Sequence, residues 1–143
     1  MAGKTTAMAT AFLSLLFKAT AWANVADNAA TSPFTNVYVS LHTADPGAAG
    51  TQTTSETTYT SYARQAVART SGGWTVTNNV VNPVANIVFP ISTGGTPTIT
   101  HFGLGSAVSG AGNLWYSGTV TPNITVSTSV VQTLTTGSSV TET

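Results

Sequence analysis

Charged side chains are scarce in this sequence. Its 143 residues include four Lys or Arg and four Asp or Glu, which together make 6% of the chain, whereas ordinary soluble domains carry about 25%. Charged groups perform most acid–base chemistry and bind most metals and phosphates, so this scarcity argues against an enzyme. The formal net charge is zero and no basic stripe occurs, so the electrostatic footprint of a nucleic-acid-binding protein is also missing.

Cysteine and long hydrophobic runs are absent as well. Without cysteine, the chain has no disulfide framework and no thiolate metal site. The main apolar stretch, residues 11–17, is far too short to span a bilayer, which takes about 20 residues. We therefore expect no membrane span.

Small and β-branched residues fill most of the chain. Thr alone supplies 29 residues, and 41% of the chain is hydrophobic, enough to bury a core. Thr and Val suit a pleated surface, so many short strands are expected. Charged groups keep isolated proteins apart in solution. Because this chain has so few, we expect it to associate with copies of itself.

The first 23 residues admit two interpretations. Seven of them fall at helical spacing on one apolar stripe, and these are Met8, Phe12, Leu15, Leu16, Ala19, Trp22 and Ala23. This stripe predicts an amphipathic helix that is retained in the mature protein and needs a covering partner. The alternative is a secretory leader that is cleaved after Ala23, so that the mature chain starts at Asn24. Because Lys18 interrupts the hydrophobic region that a secretory leader would need before its cleavage site, we favour the helix.

Segments with alternating apolar and polar residues follow from residue 36 onwards, and turn signals such as Asp45-Pro46-Gly47 separate them. Seven predicted β segments cover residues 36–42, 59–69, 74–77, 86–91, 98–104, 113–120 and 124–127, and residues 130–135 are the candidate for an eighth. A turn at Asn78-Asn79 leads from the third segment to the short stretch Val80-Val81. Residues 48–58 are predicted to form a long loop. This pattern predicts a mainly β fold, namely an antiparallel β-sandwich or jelly-roll-like domain of seven or eight short strands with an N-terminal α-helix.

The domain organisation follows from these segments. Residues 1–32 are predicted to form the amphipathic helix and a connector, and residues 33–143 to form the β-sandwich domain. The connector is small and polar, and Pro33 ends it.

Few residues suggest chemistry. His42, Asp45 and His101 could ligate a metal or form a general-base pair, but no nucleophile spacing supports such a site. Asp45 is better explained as the carboxylate that starts the Pro-Gly turn, and each histidine is expected to form hydrogen bonds locally on a sheet face. We therefore assign no catalytic, cofactor-binding or metal-binding residue.

Two arginines have a predicted structural role. Arg64 and Arg69 are expected to pair with Glu56 or Asp45 and so to hold the long loop against the second strand.

Aromatic and aliphatic side chains are the candidate contact residues. The predicted interface residues are Phe12, Leu15, Leu16, Trp22, Trp74, Trp115 and Tyr116. For the four aromatic residues after Leu16, a place in the core is the alternative. A further hypothesis is that Tyr62, Trp74, Trp115 and Tyr116 stack against sugar rings.

Several of these segments resemble small proteins of tailed bacteriophages that are commonly labelled "tail fiber protein". The resemblance rests on Leu41-His42-Thr43-Ala44-Asp45-Pro46-Gly47, Gly50-Thr51-Gln52-Thr53, Tyr59-Thr60-Ser61-Tyr62-Ala63-Arg64, Gly73-Trp74-Thr75-Val76, Thr100-His101-Phe102-Gly103-Leu104-Gly105, Ser109-Gly110-Ala111-Gly112 and Tyr116-Ser117-Gly118. It covers residues 37 to 120. The chain departs from the pattern directly after Pro-Gly, where Ala48 and Ala49 replace the acidic or polar residue that relatives often carry.

This resemblance implies a non-enzymatic component of the virion, such as a short fibre at the tail or neck. Its implied partners are copies of itself, for which a trimer is one option, and other virion proteins of the tail, neck or capsid. A decoration (cement) protein that bridges capsid shell subunits is the first alternative. A secreted adhesin or sugar-binding module is the second.

Overall fold

The structure is a computed structural model, and it describes residues 6–22, 26 and 33–143. One helix and nine strands lie in these residues. They are α1 (Thr6–Lys18), β1 (Asn36–His42), β2 (Gln65–Ala68), β3 (Trp74–Thr77), β4 (Val80–Pro83), β5 (Ile87–Val88), β6 (Thr98–Gly105), β7 (Leu114–Thr125), β8 (Thr133–Leu134) and β9 (Val140–Thr141). No helix within these residues is both long and apolar enough to cross a membrane.

The predicted fold class is confirmed. The architecture is mainly β with one N-terminal helix, and the strands form a four-stranded sheet β2-β1-β6-β7, a three-stranded sheet β3-β4-β9 and a two-stranded sheet β5-β8. The pairs β1/β6, β6/β7, β3/β4 and β4/β9 are antiparallel. The predicted segments 113–120 and 124–127 fall largely on one long strand, because β7 continues through Pro122 to Thr125.

The chain forms two compact units. The first contains the described residues up to Asn36 together with Ala68–Asn86 and Leu134–Thr143, and the second contains Val37–Val67 and Ile87–Thr133. The division at residue 32 that we expect from the sequence stays a prediction.

In the first unit, helix α1 packs on strands β3 and β4. Its buried residues are Ala9, Leu13 and Phe17, which follow one another at intervals of four and therefore lie on one face of the helix. The Phe17 ring meets the Trp74 ring edge to face, with the ring centroids 4.9 Å apart and the planes at 65°. This is a favourable geometry for two aromatic rings.

The face of the helix that packs within the first unit is a different one from the predicted apolar stripe, and the covering of that stripe by a partner stays a prediction. Met8 is 45% exposed and Phe12 is 39% exposed, while Leu13 and Phe17 are completely buried. The helix carries large apolar side chains on more than one side, so helical spacing alone does not select the face that is packed. That choice is made by the buried indole of Trp74, which packs against Phe17.

Arg69 fastens the C-terminal end of α1. Its Nη2 donates a hydrogen bond of 2.8 Å to the Leu15 carbonyl oxygen, Nε donates to the Leu16 carbonyl oxygen, and Nη1 donates to the Phe34 carbonyl oxygen. The last carbonyl groups of a helix have no partner within the helix, and a cation at this end also interacts favourably with the helix dipole. The predicted pairing of Arg69 with Glu56 or Asp45 is therefore wrong.

In the second unit, the four-stranded sheet carries two buried faces. Val37, Val39 and Leu41 point to one face and are completely buried, and Leu104 and Phe102 lie opposite Val39 and Leu41 on β6. Ser40 and His42 point to the other face and are also completely buried. Polar residues on a strand usually face water, so something must cover this second face.

The fold of the first unit can be tested with two substitutions of the same type on one helix. We expect Phe17→Ala to lower the free energy of unfolding by about 3 to 5 kcal/mol, because it opens a cavity beside Trp74. The control, Phe12→Ala, removes a partly exposed ring and is expected to cost clearly less, about 1 kcal/mol. Urea denaturation measures both values, and equal losses would contradict the observed orientation of the helix.

Candidate functional site

The second face of the four-stranded sheet is covered by residues 43–58, which we call the covering loop. A backbone hydrogen bond from Thr43 N–H to the Ser55 carbonyl (2.8 Å) joins the two ends of the loop to each other, and one from Thr57 N–H to the Leu41 carbonyl (2.9 Å) joins the loop to β1. Gln52 is completely buried, and its side-chain amide donates to the Tyr38 carbonyl oxygen of β1 at 3.3 Å. The segment predicted as a loop without periodicity is therefore a fixed part of the second unit.

His42 lies beneath this loop, and each of its two ring nitrogens forms a hydrogen bond. Its Nδ1 is 2.8 Å from the Thr54 carbonyl oxygen, which can only accept, so Nδ1 is the donor. Burial lowers the pKa of His42 and so favours the neutral ring, in which Nε2 accepts a hydrogen bond from the Ser40 hydroxyl group at 2.8 Å. His101, its neighbour across the β1/β6 pair, forms a hydrogen bond with Thr100 Oγ1 at 2.9 Å. His101 therefore bonds locally, as predicted, whereas His42 also bonds the covering loop through Thr54, 12 residues further along the chain.

Two glycines of β6 make room for this polar layer. A Cβ atom on Gly103 would lie 2.6 Å from His42 Nε2 and 2.7 Å from Ser40 Oγ. A Cβ atom on Gly105 would lie 2.3 Å from Gln52 Cδ. Real Cβ atoms do not approach other atoms so closely, so both positions require glycine for the covering loop to reach the sheet.

A buried ion pair closes the same region. Arg64 Nε donates a hydrogen bond to Glu56 Oε1 and Arg64 Nη2 donates one to Glu56 Oε2, both at 2.7 Å. The Arg64 side chain is only 3% exposed. Tyr62 Oη also donates to Glu56 Oε1 at 2.9 Å and accepts from Leu41 N–H at 3.0 Å. Bidentate pairing is the strongest geometry for a guanidinium and a carboxylate. The predicted pairing of Arg64 with Glu56 is confirmed.

The ion pair also holds the loop between β6 and β7. Arg64 Nη1 donates to the Ala107 carbonyl oxygen (2.9 Å) and Nη2 donates to the Gly110 carbonyl oxygen (2.8 Å). Gln52 of the covering loop binds the same β6–β7 loop, because its side-chain Oε1 accepts a hydrogen bond from Ala107 N–H at 2.9 Å. One guanidinium and one amide therefore fix two loops against each other.

A groove of about 240 Å³ opens where these two loops end, and we call it the aromatic groove. It is lined by Asp45, Gly47, Ala48, Gly50, Leu114, Trp115, Tyr116 and Ser117. Trp115 is an extra residue in β7, since Leu104 faces Tyr116 while Gly105 faces Leu114. Such a bulge re-aims side chains at a sheet edge, and here it lets two consecutive aromatic residues line one groove. Burial raises the pKa of Tyr116.

The turn at one wall of this groove is the one that the sequence predicts. Asp45 Oδ1 accepts the Gly47 N–H at 2.9 Å, and Gly47 adopts a φ of 71°. Asp45 therefore acts as the turn-starting carboxylate.

The polar residues of the site are not arranged for catalysis. The Ser40–His42 hydrogen bond resembles a nucleophile and its base, but both side chains are completely buried, so no substrate reaches the hydroxyl group. Among residues 6–22, 26 and 33–143, no three His, Asp or Glu side chains are grouped closely enough to hold a metal ion. The geometry supports a scaffold that holds loops in place.

The predicted interface residues fall into three groups. Trp74 is 2% exposed and belongs to the core of the first unit, where it packs on Phe17. Trp115 and Tyr116 are half-buried and come together in the aromatic groove. On the N-terminal segment, Phe12 is exposed, whereas three residues are half-buried: Leu15, Leu16 and Trp22.

Four members of this site are not predicted from the sequence, namely Ser40, Gln52, Gly103 and Gly105. One signal was present, because Gly103 and Gly105 are two residues apart and therefore on the same face of a strand. Gln52 had no signal, since its partners lie 14 and 55 residues away.

Comparison with known proteins identifies a family. The family model described as Podophage GP4 fiber I protein gp80 matches residues 3–141, which is nearly the whole chain. No curated protein matches the sequence.

The buried ion pair can be tested with two acid-to-amide substitutions. We expect Glu56→Gln to lower the free energy of unfolding by about 3 to 5 kcal/mol, because it leaves the Arg64 charge buried without a counter-ion. In the control, Asp45→Asn, the side chain is exposed and keeps the oxygen that accepts from Gly47, so a change within about 0.5 kcal/mol is expected. Chemical denaturation monitored by tryptophan fluorescence measures both. If the two variants are equally stable, the ion pair does not hold the loops.

The glycine requirement can be tested on β6. Gly103→Ala should lower the free energy of unfolding by about 1 to 3 kcal/mol, because the added methyl group meets His42 and Ser40. Gly72→Ala is the matched control, since the nearest atom to its Cβ would be Thr70 Oγ1 at an ordinary 3.6 Å. Thermal denaturation of both variants decides the point, and a Gly103→Ala protein as stable as Gly72→Ala would show that the covering loop is not packed on the sheet as described.

Proposed function

The chain belongs to the Podophage GP4 fiber I protein gp80 family and is a phage fibre protein of the virion, and on this premise we propose that it works by assembling with copies of itself and docking to the particle. The observation that carries this proposal is the family match over residues 3–141. The proposed role is structural, at the tail or neck, and transforms no substrate.

The composition supports a role based on contact area. Charged residues make up 6% of the chain, so its surface offers little electrostatic repulsion to neighbouring copies. Where many copies meet at one place, individually weak contacts add up through their high effective concentration.

The buried polar residues support the same role. Ser40, His42 and Gln52 are completely buried, and their hydrogen bonds join the covering loop to the sheet. These buried polar side chains thus hold the covering loop against the sheet. Rigid loops suit a component that must present the same surface in every copy.

The outer side of helix α1 is the proposed docking surface. Ala9, Leu13 and Phe17 are used within the first unit, while Met8 and Phe12 stay exposed on the same helix. Two large apolar side chains exposed four residues apart form one small patch on a helix. A hydrophobic socket on another virion protein would cover it.

The docking surface can be tested with a phage that lacks the gene for this protein and receives it from a plasmid. We expect Met8→Asp and Phe12→Asp to reduce incorporation into particles at least about tenfold, because a carboxylate would lose its hydration on docking. Val108→Asp is the control, since Val108 is 63% exposed and lies outside the helix. Quantitative mass spectrometry of purified particles gives the copy number.

Two further measurements complete this test. The melting temperature of each purified variant shows whether the fold is intact. Normal incorporation of both helix variants would contradict docking through α1. Electron microscopy with a bound label locates the protein on the particle, and label over the whole head would indicate a capsid decoration protein instead of a tail or neck fibre.

A further inference from the structure

Four exposed aliphatic side chains lie together on the second unit, on the segments 87–92 and 129–133. Val88 is 53% exposed, Ile91 is 46% exposed, Val131 is 45% exposed and Val130 is 44% exposed. We call these four residues the aliphatic patch. Single exposed apolar residues are common on protein surfaces, but a group on adjoining segments marks an interaction site.

Backbone hydrogen bonds bring the two segments side by side. Phe89 N–H donates to the Gln132 carbonyl oxygen at 2.9 Å, and Ser92 N–H donates to the Val130 carbonyl oxygen at 3.1 Å. Residue numbers rise along the first segment while those of the hydrogen-bonded partners fall along the second, so the two segments are antiparallel. Phe89 and Gln132 belong to these two segments and are buried, so the segments are anchored by side chains that pack inside the protein.

The residues that flank the patch in sequence carry hydroxyl groups and no charge. Thr93, Ser127, Thr128 and Ser129 are exposed beside it. Moreover, residues 70–141, half of the chain, contain no Asp, Glu, Lys or Arg. An apolar centre with an uncharged polar rim is the usual anatomy of a protein–protein interface.

We propose that the aliphatic patch is the surface through which copies of this chain contact one another, an inference that rests on the proposed assembly of the protein into an oligomer. Electrostatics favours a second copy as the binding partner of the patch. A partner with charged side chains would lose their hydration against a surface that offers no counter-ion. A second copy brings an equally uncharged surface and adds no like-charge repulsion, so the patch is complementary to itself.

The size of the patch requires the rim to take part. A stable interface covers about 800 Å² on each partner, which is more than four half-exposed aliphatic side chains supply. The exposed Ser and Thr residues around the patch complete the area and form hydrogen bonds across the contact. The aliphatic side chains are then the centre of the interface, where a substitution has its largest effect.

The test uses the full chain and three Val→Lys variants. Val88→Lys and Val131→Lys place a charge in the patch, and Val108→Lys places the same charge on the more exposed Val108, between β6 and β7. Sedimentation velocity over a range of protein concentrations measures the oligomer of each protein. We expect the wild type and Val108→Lys to form the same oligomer, and the dissociation constants of the two patch variants to rise by roughly a hundredfold or more.

Each outcome decides one point. If Val88→Lys and Val131→Lys sediment like the wild-type oligomer, the patch is not the contact between copies, while the proposed assembly itself stands. If the wild type is a monomer at every concentration, the proposed assembly is wrong and this inference falls with it. Melting temperatures show whether the variants fold, and if the lysine variants unfold, Val88→Ser and Val131→Ser decide the question with an expected rise of about tenfold.

Discussion

The ion pair between Arg64 and Glu56 is the interaction on which the second unit depends. Its guanidinium binds both oxygens of the carboxylate and also two backbone carbonyl groups of the loop between β6 and β7. A buried charge is tolerated when it is paired and hydrogen-bonded, and this arginine donates four hydrogen bonds, two of them to its carboxylate partner. The covering loop, the aromatic groove and the turn at Asp45 all lie on elements that this one contact holds in place.

The polar layer between the sheet and the covering loop explains two features of the sequence, namely the glycines of β6 and the polar residues that they face. The covering loop reaches the sheet only because Gly103 and Gly105 have no side chains, and the space is used by His42, Ser40 and Gln52. The hydrogen bonds of Ser40, His42 and Gln52 favour one arrangement of the loop over others, because a shift would leave these buried groups without partners. A fibre protein with few charges thus obtains a defined surface from hydrogen bonds inside it.

Strands with clean alternation could be predicted from the sequence, and the packing of the helix could not. Residues 36–42 and 74–77 are strands as expected, since period-two alternation is a local signal. The buried face of α1 depends on Trp74, which lies 57 residues after Phe17, so no local pattern contains it. The same holds for Gln52 at the candidate site, whereas Arg64 and Glu56 could be paired because so few charges were available.

The two buried arginines mostly bind main-chain oxygens. Arg69 binds the carbonyl groups of Leu15, Leu16 and Phe34, and Arg64 binds the carbonyl group of Ala107 beside its carboxylate partner. Every residue type has a carbonyl oxygen, so the side chains at these acceptor positions can diverge during evolution while the hydrogen bonds persist. Outward-facing loops can thereby acquire new sequences, and with them new neighbours, on an interior that does not change.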